Sequence, residues 1–190
     1  MHRLRICVLI LGILALAGFT ACSEDNPADD GDDTGTIGGI ATKHTDPAEL
    51  LDAYARAISA KNLEAYKALL VQPGDNAPPF EFCPRPEDPP DFPWLEGDCR
   101  DYETEIAIMA NMFDTDFSPE WGRPVLSIQM GIDIMSSTDQ GEGKFRVDCT
   151  ATFLVLVGPD DGFFSDTRFL FDLFPVGGYL RIQRIEEIWR

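Results

Sequence analysis

The chain has 190 residues, with 33 Asp and Glu against 15 Lys and Arg, and a formal charge of -18. At 44% hydrophobic and 11% aromatic it can bury a core, which excludes wholesale disorder and a fibrous protein. The length suits one domain, and the acidity excludes a nucleic-acid binder, which needs a clustered cationic face.

Residues 1–21 read as a lipoprotein signal peptide. Arg3 and Arg5 form a short positive region, and an apolar run follows from Ile6 to Phe19. The run is shorter than the roughly 20 apolar residues of a permanent membrane helix and has the flanks of a secretory signal. Its end, Phe19-Thr20-Ala21-Cys22, resembles a bacterial lipobox, so Cys22 is the expected lipid-attachment site. The alternative is an ordinary secretory signal that contains a cysteine. Ser23 after Cys22 resembles the sorting pattern for the outer membrane, so the expected location is the cell envelope, lipid-anchored and facing the periplasm.

Residues 22–45 follow as a lipidated cysteine and an acidic disordered tether. Glu24, Asp25, Asp29, Asp30, Asp32 and Asp33 supply like charges, and Gly31, Gly35, Gly38 and Gly39 supply flexibility. Such a composition cannot bury enough surface to offset chain entropy. Clustered Asp side chains are hard-oxygen donors, but the alternating spacing of a calcium loop is missing, and no metal site is expected.

A single domain is expected over residues 46–190. Asp46-Pro47 supplies an N-cap and a first-turn proline. Leu50, Leu51, Tyr54, Ala57 and Ile58 then form an apolar stripe at helical spacing. Lys61-Asn62 breaks the run, and Leu63, Tyr66, Leu69 and Leu70 mark a second, shorter helix. Eight prolines between residues 73 and 93 define a proline-rich insert, taken as 73–100, in which only Phe80–Cys83 suits a brief strand. Cys7 leaves with the signal and Cys22 is lipidated, so Cys83, Cys99 and Cys149 remain. Cys83 and Cys99 flank the insert and form the expected disulfide, while Cys149 lies in an apolar alternating run and reads as buried.

Tyr102–Phe113 is a third helix, with Ile106, Met109, Ala110 and Phe113 on the expected buried face. Four strands follow. In Val125–Met135 the apolar face is even-numbered, comprising Leu126, Ile128, Met130, Ile132 and Ile134. In Lys144–Val157 it is odd-numbered, from Phe145 through Cys149 to Val157. Phe163–Phe174 and Tyr179–Trp189 complete the set, with Gly177-Gly178 as a hairpin turn. Helices followed by meandering strands give an α+β class with an antiparallel sheet.

The helical hairpin ending Ala60-Lys61-Asn62-Leu63-Glu64-Ala65-Tyr66, the third helix, and the close Tyr179-Leu180-Arg181-Ile182 through Ile185-Glu186-Glu187-Ile188-Trp189 resemble the nuclear-transport-factor-two-like superfamily, in its bacterial lipoprotein branch. The resemblance implies a cone-shaped curved antiparallel sheet wrapped around three helices, enclosing an apolar pocket. It leaves activity open, because the superfamily holds isomerases, dehydratases, cyclases, transport factors and plain binding modules.

Catalytic relatives place an Asp inside the cone, often with Tyr, His or Arg. Here strand parity turns Asp133, Arg146, Asp148 and Asp172 outward, leaving apolar inner positions. His44 precedes the first helix. No catalytic residue, metal or cofactor is therefore expected. Leu154, Leu156, Leu170 and Phe174 share the outer parity and form a candidate dimer face, since relatives pair through that face. The expected function is a lipid-anchored binding or scaffolding module whose partners are the membrane (through its anchor), a second copy and a small apolar ligand. An isomerase- or dehydratase-like enzyme is the alternative.

Overall fold

The computed structural model describes residues 35–84, 99–114, 124–158 and 161–188. The signal segment, Cys22, the tether as far as residue 34, residues 85–98 of the proline-rich insert and Trp189 lie outside the described residues.

A two-residue hairpin, β1 (Thr36–Ile37) and β2 (Ile40–Ala41), precedes helix α1 (Pro47–Ser59). This corrects the expectation of a disordered tether as far as residue 45, because Ile40, Thr42 and His44 are buried against the domain. The Asp46 carboxylate accepts from the backbone amides of Ala48 and Glu49, satisfying two donors that the first helical turn leaves unpaired. At its other end Lys61 adopts φ 51°, a left-handed conformation that usually falls to glycine. The amides of Lys61 and Asn62 bond back to Ile58 and Ala57, which closes α1 as a Schellman turn. Asn62 then turns its side chain to the Ala65 amide and caps α2 (Leu63–Leu69). One residue thus ends one helix and starts the next, which fixes the tight hairpin.

Strands β3 (Glu81–Cys83) and β4 (Arg100–Asp101) flank the insert, and α3 (Tyr102–Phe113) follows directly. Four long strands complete the domain: β5 (Ser127–Gly141), β6 (Lys144–Leu156), β7 (Gly162–Val176) and β8 (Tyr179–Ile188). They form a six-stranded sheet in the order β4-β3-β8-β7-β6-β5, antiparallel except where β3 runs parallel to β8. The turn at Glu142-Gly143 joins β5 to β6 with φ 56° and 73°, the doubly positive geometry that matches strand twist. Register shifts at Ile134/Ser136 and Asp139/Gly141 in β5 and at Asp172/Leu173 in β7 bend the sheet and increase its twist. The three helices lie in the concave face, so the architecture is an α+β cone built on a curved, mostly antiparallel sheet.

The core joins Leu50, Leu51, Tyr54, Ala57 and Ile58 of α1, and Tyr66 and Leu69 of α2, to Val147, Cys149, Ala151, Phe169, Phe171, Leu173 and Ile182 of the sheet. The odd face of β6 is the inner one, as its alternation predicts. The even face of β5 holds for Ile128, Met130 and Ile132 but fails at both ends. Leu126 is 53% exposed while Val125 is 4% exposed, so the alternation is out of step just before β5 begins at Ser127. Ile134, at the register shift, is likewise exposed.

Candidate functional site: a buried Tyr–Glu–Arg cluster in the cone

Helix α3 positions the one buried carboxylate found among the described residues. Asp101 caps the helix by accepting from the Thr104 amide at 2.9 Å. Its buried face is Glu105, Met109 and Phe113, one residue per turn. The expected face of Ile106, Met109, Ala110 and Phe113 is therefore rotated, with Ile106 and Ala110 only half-buried. Glu105 is 3% exposed and points among the core side chains. This corrects the expectation of a wholly apolar interior: strand parity held for β6 and for the middle of β5 but said nothing about the helices.

Three aromatic and charged partners converge on that carboxylate. Tyr66 of α2 donates its hydroxyl proton to Glu105 Oε1 at 2.9 Å. Arg100 of β4 brings Nη2 to 3.3 Å from Oε2, and its guanidinium lies over the Phe82 ring at 4.3 Å. Tyr54 of α1 packs against Tyr66, ring centres 5.4 Å apart, and meets Phe171 edge-on at 5.6 Å. Burial raises the Glu105 carboxyl above the ordinary range, and the Arg100 charge and the Tyr66 hydrogen bond pull against it. Burial and the nearby Glu105 charge hold both tyrosines protonated, far above neutral pH. A proton donor, a buried carboxylate and a cation within contact of one another can shift a proton: Tyr66 satisfies Glu105 Oε1, while Glu105 Oε2 and Arg100 Nε and Nη1 are buried without a hydrogen-bond partner.

The remaining site expectations fall as follows. Cys83 and Cys99 are joined, closing a loop with a sequence separation of 16. Glu81 lies beside them, and these three donor groups come within 4.8 Å of one another, a metal-binding geometry available only if the sulfurs are free thiols. Cys149 is free and buried, and burial pushes its thiol up to about 12, so it is no nucleophile at neutral pH. His44 is buried beside β8, its Nε2 donating to the Ala41 carbonyl at 2.8 Å.

Asp133 is exposed, and Arg146, Asp148 and Asp172 stand on the outer face, where Arg146 grips Asp172 with two hydrogen bonds and Arg168 grips Asp148. The candidate dimer residues share that face. Leu154 lies opposite Phe164, which is 68% exposed, and Leu156 lies opposite Gly162. Leu170 sits opposite Asp148, between the two ion pairs, and Phe174 is covered by the Lys144 ammonium at 5.1 Å. The four residues therefore form two half-buried groups rather than one patch.

Two open grooves lie on the surface. One, of about 480 Å³, runs between α1 and β5 and is lined by Leu51, Ala55, Met130, Ile132 and the rim charges Asp52 and Arg56. The other, of about 300 Å³, lies between the 71–80 turn, including Phe80, and the start of α3 at Tyr102.

No protein-family model matches the chain, and no curated protein matches it. Solved structures do. A candidate dehydratase of the NTF2-like family from Streptomyces avermitilis superposes with a TM-score of 0.56 at 12% identity, over 75% of this chain and 94% of that one. A candidate scytalone dehydratase from Novosphingobium aromaticivorans gives 0.56 at 10% identity, over 74% and 78%. ActVI-ORFA from Streptomyces coelicolor gives 0.52 at 11% identity, over 74% and 92%. At such identities the likeness concerns architecture, and it agrees with the helix order, strand order and curved sheet described above. The chain has the nuclear-transport-factor-two-like fold.

Proposed function

We propose that this chain is a lipid-anchored binding or scaffolding module of the bacterial cell envelope, a lipoprotein of the NTF2-like fold held at the periplasmic side of the outer membrane through Cys22. The observation that carries the non-catalytic part is the filled cone. Tyr66, Phe171, Leu173 and Ile182 are at most 2% exposed, and Glu105 is engaged by Tyr66 and Arg100 rather than aimed at open space. Among the described residues no helix is long and apolar enough to cross a membrane. Ligand contact then falls to outer surfaces, and the groove between α1 and β5 suits a small apolar ligand. The apolar end of the outer face, Leu154 and Leu156 with Phe164, suits a second copy.

Titration of the purified mature protein with an environment-sensitive apolar dye tests the ligand reading. Binding that Ala55→Trp blocks and Tyr66→Phe leaves intact places the ligand in the groove. Binding lost with Tyr66→Phe and retained with Ala55→Trp sinks this reading.

An isomerase- or dehydratase-like activity is the second reading. It is favoured by the raised Glu105 carboxyl beside two buried tyrosines and by the likeness in fold to two candidate dehydratases. Here Glu105 would move a proton at its free carboxyl oxygen while Tyr54 or Tyr66 stabilised charge on a substrate oxygen. That chemistry requires the cone to open.

A further inference from the structure

Strand β4 is two residues long and lies at the end of the sheet, paired with β3 through Glu81 opposite Asp101 and Phe82 opposite Arg100. The residue before it, Cys99, is bonded to Cys83 of β3. Two backbone pairs, one aromatic stack and one disulfide therefore hold Arg100, the counter-charge of Glu105. The other groups facing Glu105 are the Tyr66 hydroxyl from α2 and the Tyr54 ring from α1, neither of them cationic. Taking one partner from a buried ion pair is strongly destabilising, because the remaining charge stays desolvated. Besides Glu105, the fully buried residues of α3 are Met109 and Phe113, three of twelve in all, with Tyr102, Ile106 and Met112 packed against the core only in part.

We propose that the Cys83–Cys99 disulfide is a redox switch on the seating of α3, which holds the cone shut when oxidised and releases the helix when reduced. Cys99 is exposed and Cys83 is buried, so the thiolate of an incoming dithiol attacks the Cys99 sulfur. The Cys83 sulfur leaves with the bonding electron pair and takes a proton. The second thiol of the donor then displaces Cys99, which also takes a proton, and the donor departs as its own disulfide. Without the crosslink β4 is no longer pinned to β3, Arg100 withdraws, and Glu105 is left buried without a cation. Release of α3 rehydrates Glu105 and uncovers Tyr66 and Tyr54. This goes beyond the binding role proposed above and does not depend on its ligand.

Hydrogen exchange of the intact mature protein, with and without dithiothreitol, tests the switch. Protection of α3 is read relative to β5–β8, which share any loss of global stability, and on that scale reduction should lower it by about tenfold or more. Cys83→Ser combined with Cys99→Ser should reproduce that pattern without reagent. In Glu105→Gln, whose side chain needs no counter-charge, reduction should change α3 protection by less than about twofold. Arg100→Gln should loosen α3 in the oxidised protein, which keeps the test decisive if Glu105→Gln does not fold. Unchanged α3 protection on reduction overturns the proposal. So does an equal loss in Glu105→Gln, or a loss in α3 no greater than that in β5–β8, since the disulfide would then be a plain brace.

Discussion

The Tyr66 hydroxyl reaches Glu105 Oε1 at 2.9 Å, joining α2 to α3 across 39 residues of sequence. The bond lies inside the core, where a carboxylate oxygen left without a donor bears its full desolvation cost. Tyr66→Phe should therefore destabilise the domain by about 1–3 kcal/mol, although it removes a single oxygen. Urea unfolding of the two proteins under matched conditions measures the difference, and a change below a few tenths would mean that water or another donor reaches Glu105.

Glu105 also predicts a pH dependence. Burial raises its carboxyl in the folded state, so the folded protein holds that proton more tightly than the unfolded chain does. The resulting stabilisation is fully present below the ordinary carboxylate range and is lost as pH rises through the elevated folded value. Asp148, which its ion pair with Arg168 holds below the usual range, contributes in the opposite direction. The informative quantity is thus the difference between wild type and Glu105→Gln. Relative to the variant, wild-type stability should fall as pH rises, and a difference flat from acid to neutral pH would show that Arg100 fully compensates the charge.

The disulfide should contribute about 3 kcal/mol by limiting the unfolded chain, as chain-entropy arguments give for loops of this size. Cys83→Ser with Cys99→Ser, compared with wild type by denaturant unfolding, measures it. The result should hold with the lipid anchor absent, since the loop lies far from Cys22 in sequence.

Asn62 serves two helices and the entry hairpin: its side chain caps α2 at Ala65 and donates to the Ile37 carbonyl at 3.2 Å. Asn62→Ala should cost about 0.5–2 kcal/mol through the lost cap, and near-ultraviolet spectra should stay native. In contrast, Asp172→Asn on the outer face should shift stability by only about 0.2–1 kcal/mol, because solvent screens its pair with Arg146. Adding salt should shrink the second effect and leave the first unchanged.

The anchoring and pairing proposals have direct tests. Cys22→Ser should abolish incorporation of labelled fatty acid and shift the protein out of the membrane fraction. Sedimentation of a chain lacking the anchor should give a dimer that Leu154→Asp converts to monomer, whereas a monomer at high micromolar concentration speaks against the outer-face dimer.

What was legible in the sequence follows from the range of the forces involved. The apolar spacing of α1 and α2, the Asp46 cap, the odd-numbered face of β6 and the Gly177-Gly178 turn are set within a few residues, and each stands where periodicity and turn chemistry put it. The outward placement of Arg146, Asp148 and Asp172 followed from alternation alone. Even Glu105 carried a local signal, being four residues before Met109 and eight before Phe113, but an acid on an apolar stripe reads as the edge of the stripe. Tertiary structure decided otherwise, because whether a carboxylate can be buried depends on partners that no local pattern supplies. Tyr66 comes from another helix and Arg100 from a two-residue strand held beside β3 by a crosslink. The sequence by itself determined the three helices, the four long strands and the class of the fold. The close approach of those three side chains, made possible by the curvature of the sheet and the packing of the helices within it, put a charged cluster at the centre of the cone.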